Sequence, residues 1–220
     1  MLGIDFGRGD RTTLVIESGA VYLRPGEPRD ALDWIDLRER SRAHLTRWEP
    51  DWRPEDAAPD TVRSRLRAQA RQRRAGATLA MFVFRQSDSA LVGGVSLSSI
   101  RYHASFSAQI GYWIGADFLR RGYARDAVNA TLRHAFDAMG LNRVEAACQP
   151  ANRASRRVLQ RAGFREEGFA RDYLFINGVW RDHCLYAITA ADYAADVAET
   201  GEPFSLDATE NSFARPGERV

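Results

Sequence analysis

Two short stretches carry the residue types from which chemistry can be built. Residues 117–128 read Asp-Phe-Leu-Arg-Arg-Gly-Tyr-Ala-Arg-Asp-Ala-Val. Residues 152–164 read Asn-Arg-Ala-Ser-Arg-Arg-Val-Leu-Gln-Arg-Ala-Gly-Phe. In the first, a single glycine, Gly122, stands between arginines and opens a run in which Ala124, Ala127, Val128, Leu132, Ala135, Phe136 and Met139 recur at helical spacing. A helix that starts at or just after Gly122 presents unpaired N–H groups and the positive end of its dipole, which together favour a phosphate. Gly122 lets the backbone approach an anion closely, Ala124 keeps the next turn slim, and Arg120, Arg121 and Arg125 add positive charge. An ordinary charged turn is the competing reading. The loop has neither the Lys of a Walker loop nor the glycine spacing of a dinucleotide fingerprint.

The elements that must position these stretches follow from periodicity. Residues 106–114 alternate, with Phe106, Ala108, Ile110, Tyr112 and Ile114 on one face, and read as a strand feeding the glycine loop. Arg125, Asp126, Asn129, Arg133 and Asp137 fall on the polar side of the following helix, Gly140 ends it, and 143–148 is a strand. Strand, turn, helix and strand over 106–148 form the unit in which ligands bind outside a strand's carboxyl end. Upstream, 78–85 and 90–100 are strands of an antiparallel meander, and Gly93-Gly94 marks a bulge or a close backbone approach. Residues 13–24 give two short strands around Ser18-Gly19. Residues 27–50 read as helical with Trp34 and Ile35 inward, and 61–74 as a second helix with a thin stripe of Val62, Leu66 and Ala70. After a helix from Asn152, with Ala154, Val158, Leu159 and Ala162 inward, Asn177-Gly178 joins two strands in a hairpin. A short helix over 190–198 and a tail over 200–220 complete the chain. The expected fold is a mixed α/β, mostly antiparallel sheet with helices on its faces. A domain over 20–190 is expected, preceded by an extension over 1–19 and followed by a helix and tail over 191–220.

Composition narrows the function. A net charge of +2 among 220 residues does not by itself argue for a nucleic-acid or membrane partner, and no apolar stretch reaches spanning length. The amino-terminal residues lack the apolar core of a secretory signal, so a cytoplasmic protein is expected. All basic residues are Arg, which excludes a lysine Schiff base or lysine general base. Cys148 and Cys184 show no metal-ligand spacing, and the four histidines are scattered, so no metal is expected. Helix 61–74 carries six arginines and no acid, and reads either as a solvated face or as a docking surface for an acidic or RNA-rich partner.

Leu119-Arg120-Arg121-Gly122-Tyr123-Ala124 resembles the Gln/Arg-x-x-Gly-x-Gly/Ala signature of the GNAT superfamily of acetyl-CoA-dependent N-acetyltransferases, with Leu119 departing at the first position. Asn152-x-x-Ser155 followed by Gly163-Phe164 is similar to the ribosomal-protein N-terminal acetyltransferases of that superfamily, the RimJ-like branch acting on the N-terminal alanine of small-subunit protein S5. "GYWI" at 111–114, "RVEA" at 143–146, "RDYLFINGVWRDHCLYAI" and "SRAHLTRWEPDW" resemble the same branch. The resemblance, over roughly 20–190, implies a GNAT sheet splayed at its cofactor-binding strands, with acetyl-CoA as co-substrate. It implies that backbone amides of Leu119, Arg120, Arg121, Gly122, Tyr123 and Ala124 hold the pyrophosphate. Tyr112, Trp113 and Ile114 would pair with pantetheine, with the Ile114 amide as oxyanion donor, and Asn152 would hydrogen-bond the pantetheine. Leu159 stands where many GNAT enzymes carry a Tyr acid, so the resemblance passes proton donation to Ser155 or water. Gln109 stands where a Glu base is common, leaving Glu145, Glu167, Asp172 or an ordered water as proton acceptor. Cys148 as an acyl carrier is the ping-pong alternative. The implied acceptor is the N-terminus of a ribosomal protein, with ribosome or RNA contact through helix 61–74. Trp48 and Trp52 read either as lining the acceptor's groove or as core packing. The competing functions are acetylation of a small amine and acyl-CoA binding without turnover.

Overall fold

The computed structural model describes residues 14–201, so the tail expected beyond 201 lies outside the described residues. Among them, eight strands form one sheet: β1 (Ile16–Ser18), β2 (Val21–Arg24), β3 (Leu79–Arg85), β4 (Leu91–Arg101), β5 (Ser107–Ile114), β6 (Arg143–Cys148), β7 (Arg165–Ile176) and β8 (Val179–Thr189). Their order across the sheet is β1-β2-β3-β4-β5-β6-β8-β7. Every neighbouring pair is antiparallel except β5–β6. The helices are α1 (Ala31–Arg40), α2 (Arg42–Leu45), α3 (Pro59–Arg74), α4 (Tyr123–Arg133), α5 (Arg153–Arg161) and α6 (Ala190–Thr200).

Alternation along the strands builds a core on each face of the sheet. On β3, Leu79, Met81 and Val83 join the larger core with Val128, Leu132 and Ala135 from α4 and its extension and Leu159 from α5. Phe82 and Phe84 point the other way, onto Ala31, Leu37, Val62 and Leu66 of α1 and α3. The order of elements and the Asn177-Gly178 hairpin are as the sequence implies, with both hairpin residues at positive φ.

Five expectations change. The helix expected over 27–50 breaks at Ser41, which is buried and accepts a hydrogen bond from the Ala116 amide at 2.9 Å. Phe106 precedes β5 at φ 42° and is exposed, since its carbonyl turns to receive the Asn142 and Arg143 amides. Ala154 is exposed and Val158 only half-buried, because the buried stripe of α5 runs through Leu159 and Ala162 and Ala154 lies off it. Asp126, expected on the polar side, is 6% exposed, and its carboxylate accepts from the Ala20 amide at 3.1 Å and from Arg125 at 2.8 Å. Helix α3 also begins earlier than expected, with Pro59 in its first turn and Asp60 paired to Arg63.

Gly93-Gly94 proves to be both a bulge and a close approach. The β3–β4 register slips between Val83 and Phe84, and β5 presses onto both glycines. A Cβ at Gly93 would lie 2.2 Å from the Trp113 carbonyl oxygen, and one at Gly94 would lie 2.7 Å from Trp113 Nε1. Gly93→Ala therefore forces β5 away from β4. It should cost about 1–3 kcal/mol of unfolding free energy, the usual range for overpacking, read as a lower urea midpoint at an unchanged slope.

Candidate active site

The site is organised by a gap. Strands β5 and β6 pair only through Ser107↔Arg143, Ala108↔Val144 and Gln109↔Glu145, and then diverge. From Ile110 to Ile114 the edge of β5 that faces β6 therefore carries no strand partner, although its other edge pairs with β4 through Ile114. An open edge of this kind accepts an extended amide-bearing ligand.

The glycine loop lies beyond the carboxyl end of β5. Ala116–Phe118 form one tight turn, the chain passes through Arg120 at φ 62°, and Gly122 at φ 83° is the N-cap of α4. No side chain caps this helix, so its leading amides point to solvent. A Cβ at Gly122 would meet only Arg125 Nη2, at 3.9 Å, so the space before the helix is clear. Leu119, Arg120 and Arg121 are exposed, whereas Tyr123 turns its ring into the core and offers the loop its backbone. The acid in the first turn, Asp126, would oppose an anion, but Arg125 and the Ala20 amide take up its charge. Helix α1 braces the loop from the other side: a Cβ at Gly115 would meet Leu37 Cδ1 at 2.4 Å, and Ser41 receives the Ala116 amide. These features fit the pyrophosphate of acetyl-CoA.

Across the gap, Asn152 caps α5, its Oδ1 accepting from the Ser155 amide at 3.1 Å. The Ser155 hydroxyl lies 2.9 Å from the Tyr112 hydroxyl, which also donates to the Ser155 carbonyl at 3.2 Å. The pairing of Tyr112 with Ser155 has no sequence signal, because the two lie on different elements and meet only across the gap. Burial raises the Tyr112 pKa despite the Ser155 hydrogen bond, so the phenol stays protonated and the two hydroxyls can pass a proton. Burial also pushes the Cys148 thiol up to about 11, a poor setting for an acyl-carrying thiolate.

On the face that carries Gln109 and Gly111, a cavity of about 450 Å³ opens among Ser96, Gln109, Glu145, Glu167, Tyr173 and Tyr186. Arg143 binds Glu145 at 2.9 Å and also Glu167, which holds the Glu167 carboxyl below its ordinary range. Trp113 points to the α1 side, where Arg38 lies over its ring at 4.9 Å and over that of Trp52 at 4.2 Å. Trp48 and Trp52 belong to the segment after α2, beside the hairpin tip at Asn177.

Residues 20–165 match the acetyltransferase (GNAT) domain model. The chain belongs to the GNAT acetyltransferase family. It is an acetyl-CoA-dependent N-acetyltransferase whose homologues include ribosomal-protein acetyltransferases. It is 30% identical to the [ribosomal protein uS5]-alanine N-acetyltransferase of Escherichia coli K12 over 79% of this chain and 89% of the relative. The solved RimJ of Mycobacterium smegmatis, in complex with CoA-disulfide, superposes at a TM-score of 0.77 with 34% identity, covering 86% of this chain and 94% of that one. The ribosomal-protein-S5-alanine acetyltransferase of Vibrio fischeri gives 0.76 and 30% over 81% and 98%. Among the described residues no helix is long and apolar enough to cross a membrane, and no group of three His, Cys, Asp or Glu is placed to hold a metal.

A thiol held protonated should be chemically silent. Folded protein at pH 8 is expected to resist iodoacetamide at both Cys148 and Cys184, which are buried, and to label fully once denatured. Rapid labelling of Cys148 in the folded state, read by mass spectrometry, would restore the ping-pong route.

Proposed function

We propose that the protein acetylates the N-terminal α-amino group of a ribosomal protein with an S5-type alanine terminus, in the cytoplasm, by direct attack within a ternary complex. The observation that carries the choice of acceptor is the match to the uS5-alanine acetyltransferase along 79% of this chain. The open gap supports the ternary complex, since acetyl-CoA enters along the β5 edge from the glycine-loop side and the acceptor enters from the cavity side.

In this reading the amides from Leu119 to Ala124 hold the pyrophosphate, the edge from Tyr112 to Ile114 pairs with pantetheine, and Asn152 adds a hydrogen bond beyond its cap. The Ile114 amide faces the thioester oxygen and stabilises charge that develops there. Ser155, backed by the Tyr112 hydroxyl, returns a proton to the departing thiolate. The demand on a base is light: an α-amino group has a pKa of ~7.7–8.0 against ~10.4 for Lys, so much of the rate comes from positioning. Arg67, Arg71 and Arg74 are exposed on α3 and supply a contact for ribosomal RNA.

The test is a panel of N-terminal peptides and small amines incubated with acetyl-CoA, following thiol release and locating the acetylated nitrogen by mass spectrometry. Alanine-terminal peptides should be acetylated at the α-nitrogen. Acetylation confined to small amines would overturn the acceptor assignment, and tight CoA binding with no thiol release on any amine would leave only a binding module.

Two substitutions check the assigned roles. Gly122→Glu should abolish acetyl-CoA binding in calorimetry, since it sets bulk and negative charge against the pyrophosphate. Ser155→Ala should lower kcat by about 10–100-fold with acetyl-CoA affinity retained, because water replaces the lost donor poorly. An unaltered rate removes Ser155 from the mechanism.

A further inference from the structure

The carboxylates that the sequence offers as proton acceptors are otherwise engaged or remote. Arg143 donates hydrogen bonds to both Glu145 and Glu167, whereas Asp172 is exposed on β7, where its amide donates to Asp182. Another carboxylate lies at the mouth of the gap. Glu49 belongs to the segment after α2, which four hydrogen bonds fix in place. The Trp48 carbonyl accepts from Gln149, just beyond the end of β6, at 3.4 Å. Asn177 Nδ2 donates to the carbonyls of Thr46 at 2.8 Å and Glu49 at 3.3 Å, while its Oδ1 accepts from the Asp51 amide at 2.7 Å. The Glu49 carboxylate itself touches Arg38 Nη2 at 2.5 Å, and the Arg38 guanidinium lies over Trp113 of β5. Glu49 is thereby tied to the carboxyl ends of both diverging strands.

Its electrostatic setting is that of a base. Glu49 Oε1 is buried and meets Arg38 as an ion pair outside hydrogen-bond geometry, and 31% of the side chain remains open to an incoming group. Burial raises its pKa against the opposing pull of Arg38, towards that of an amine. The other charges around it are Arg42, stacked on Trp52 at 4.4 Å, and the carboxylates of Glu39 and Asp51, both bound to Arg42.

We propose that Glu49 is the proton acceptor of the acetyl transfer, taking one proton from the incoming α-ammonium group. The proposal rests on the acceptor reading given above. The freed nitrogen lone pair forms the C–N bond to the acetyl carbon, and the C–S bond to CoA breaks. The second nitrogen proton leaves as the amide forms and balances the proton delivered to the CoA sulfur through Ser155 or water. Glu49 then returns its proton to solvent.

The experiment compares wild-type enzyme and Glu49→Gln on an alanine-terminal peptide across pH 6–9. Acetyl-CoA affinity by calorimetry should be unchanged. At pH 7, kcat/KM should fall about 10²–10⁴-fold, the usual contribution of a general base. The deficit should shrink as pH passes the amine pKa of ~8, where the free amine needs no acceptor. Wild-type kcat/KM in the variant overturns the proposal, and so does a loss of constant size at every pH, which marks a merely structural role. Should Glu49→Gln not fold, Glu49→Asp decides the matter: a carboxylate set back by one methylene should lower kcat/KM at pH 7 with a deficit that shrinks towards pH 9, and a wild-type rate or a loss of equal size at every pH overturns the proposal. If the wild-type enzyme acetylates only small amines, the same comparison on those amines still decides Glu49, so failure of the acceptor reading and failure of the base are told apart.

Discussion

Parallel pairing between β5 and β6 lasts three residues, and the rest of the site depends on its stopping there. Had the ladder continued, the β5 edge would be satisfied and no ligand would find backbone groups to bind. Each strand keeps a partner on its other side: β5 is held to β4 by the glycine approach, and β6 is paired along its whole length with β8. The sheet therefore stays continuous on both flanks of the gap.

Arginine does the electrostatic organising in a chain that has no lysine. Arg143 collects two carboxylates beneath the gap, Arg156 joins Glu166 to the Tyr186 hydroxyl, and Arg38 lies among three indole rings while touching Glu49. A planar guanidinium can stack and bridge at once, which an ammonium cannot. By contrast, Arg120 and Arg121, prominent in the sequence, are exposed beside a helix start that no side chain caps.

Local signals were legible. The meander, the strand-loop-helix-strand unit, the Asn-Gly hairpin, the double glycine and the Asn152 cap each depend on neighbours in the chain, and each reads from spacing. Whatever is set by partners far away in the sequence did not read. Asp126 has the look of a solvated helix residue, and the approach of the Ala20 amide, together with Arg125, makes its burial tolerable. Ser41 sits in a convincing helical run, which it ends because the Ala116 amide needs an acceptor. Asn177 advertises a turn, whereas its side chain also holds the backbone of 46–51. The insertion of β8 between β6 and β7 is likewise a matter of which edge was vacant, a quantity no periodicity encodes. Glu49 carries no local signal for the same reason, being a lone acid before a proline.

The contact between Asp126 and the first hairpin also bears on how this sequence can vary. Gly19 sits at φ 53°, and a Cβ there would fall 2.5 Å from Asp126 Oδ2. The glycine leaves room for the carboxylate, and the carboxylate in turn holds the amide of the next residue, Ala20, from 106 positions away. Neither can drift alone: a larger residue at 19 collides with the acid, and loss of the acid takes from the Ala20 amide its acceptor at the turn. The two positions form an epistatic pair, coupling the sheet's outer edge to the first turn of the helix that follows the glycine loop.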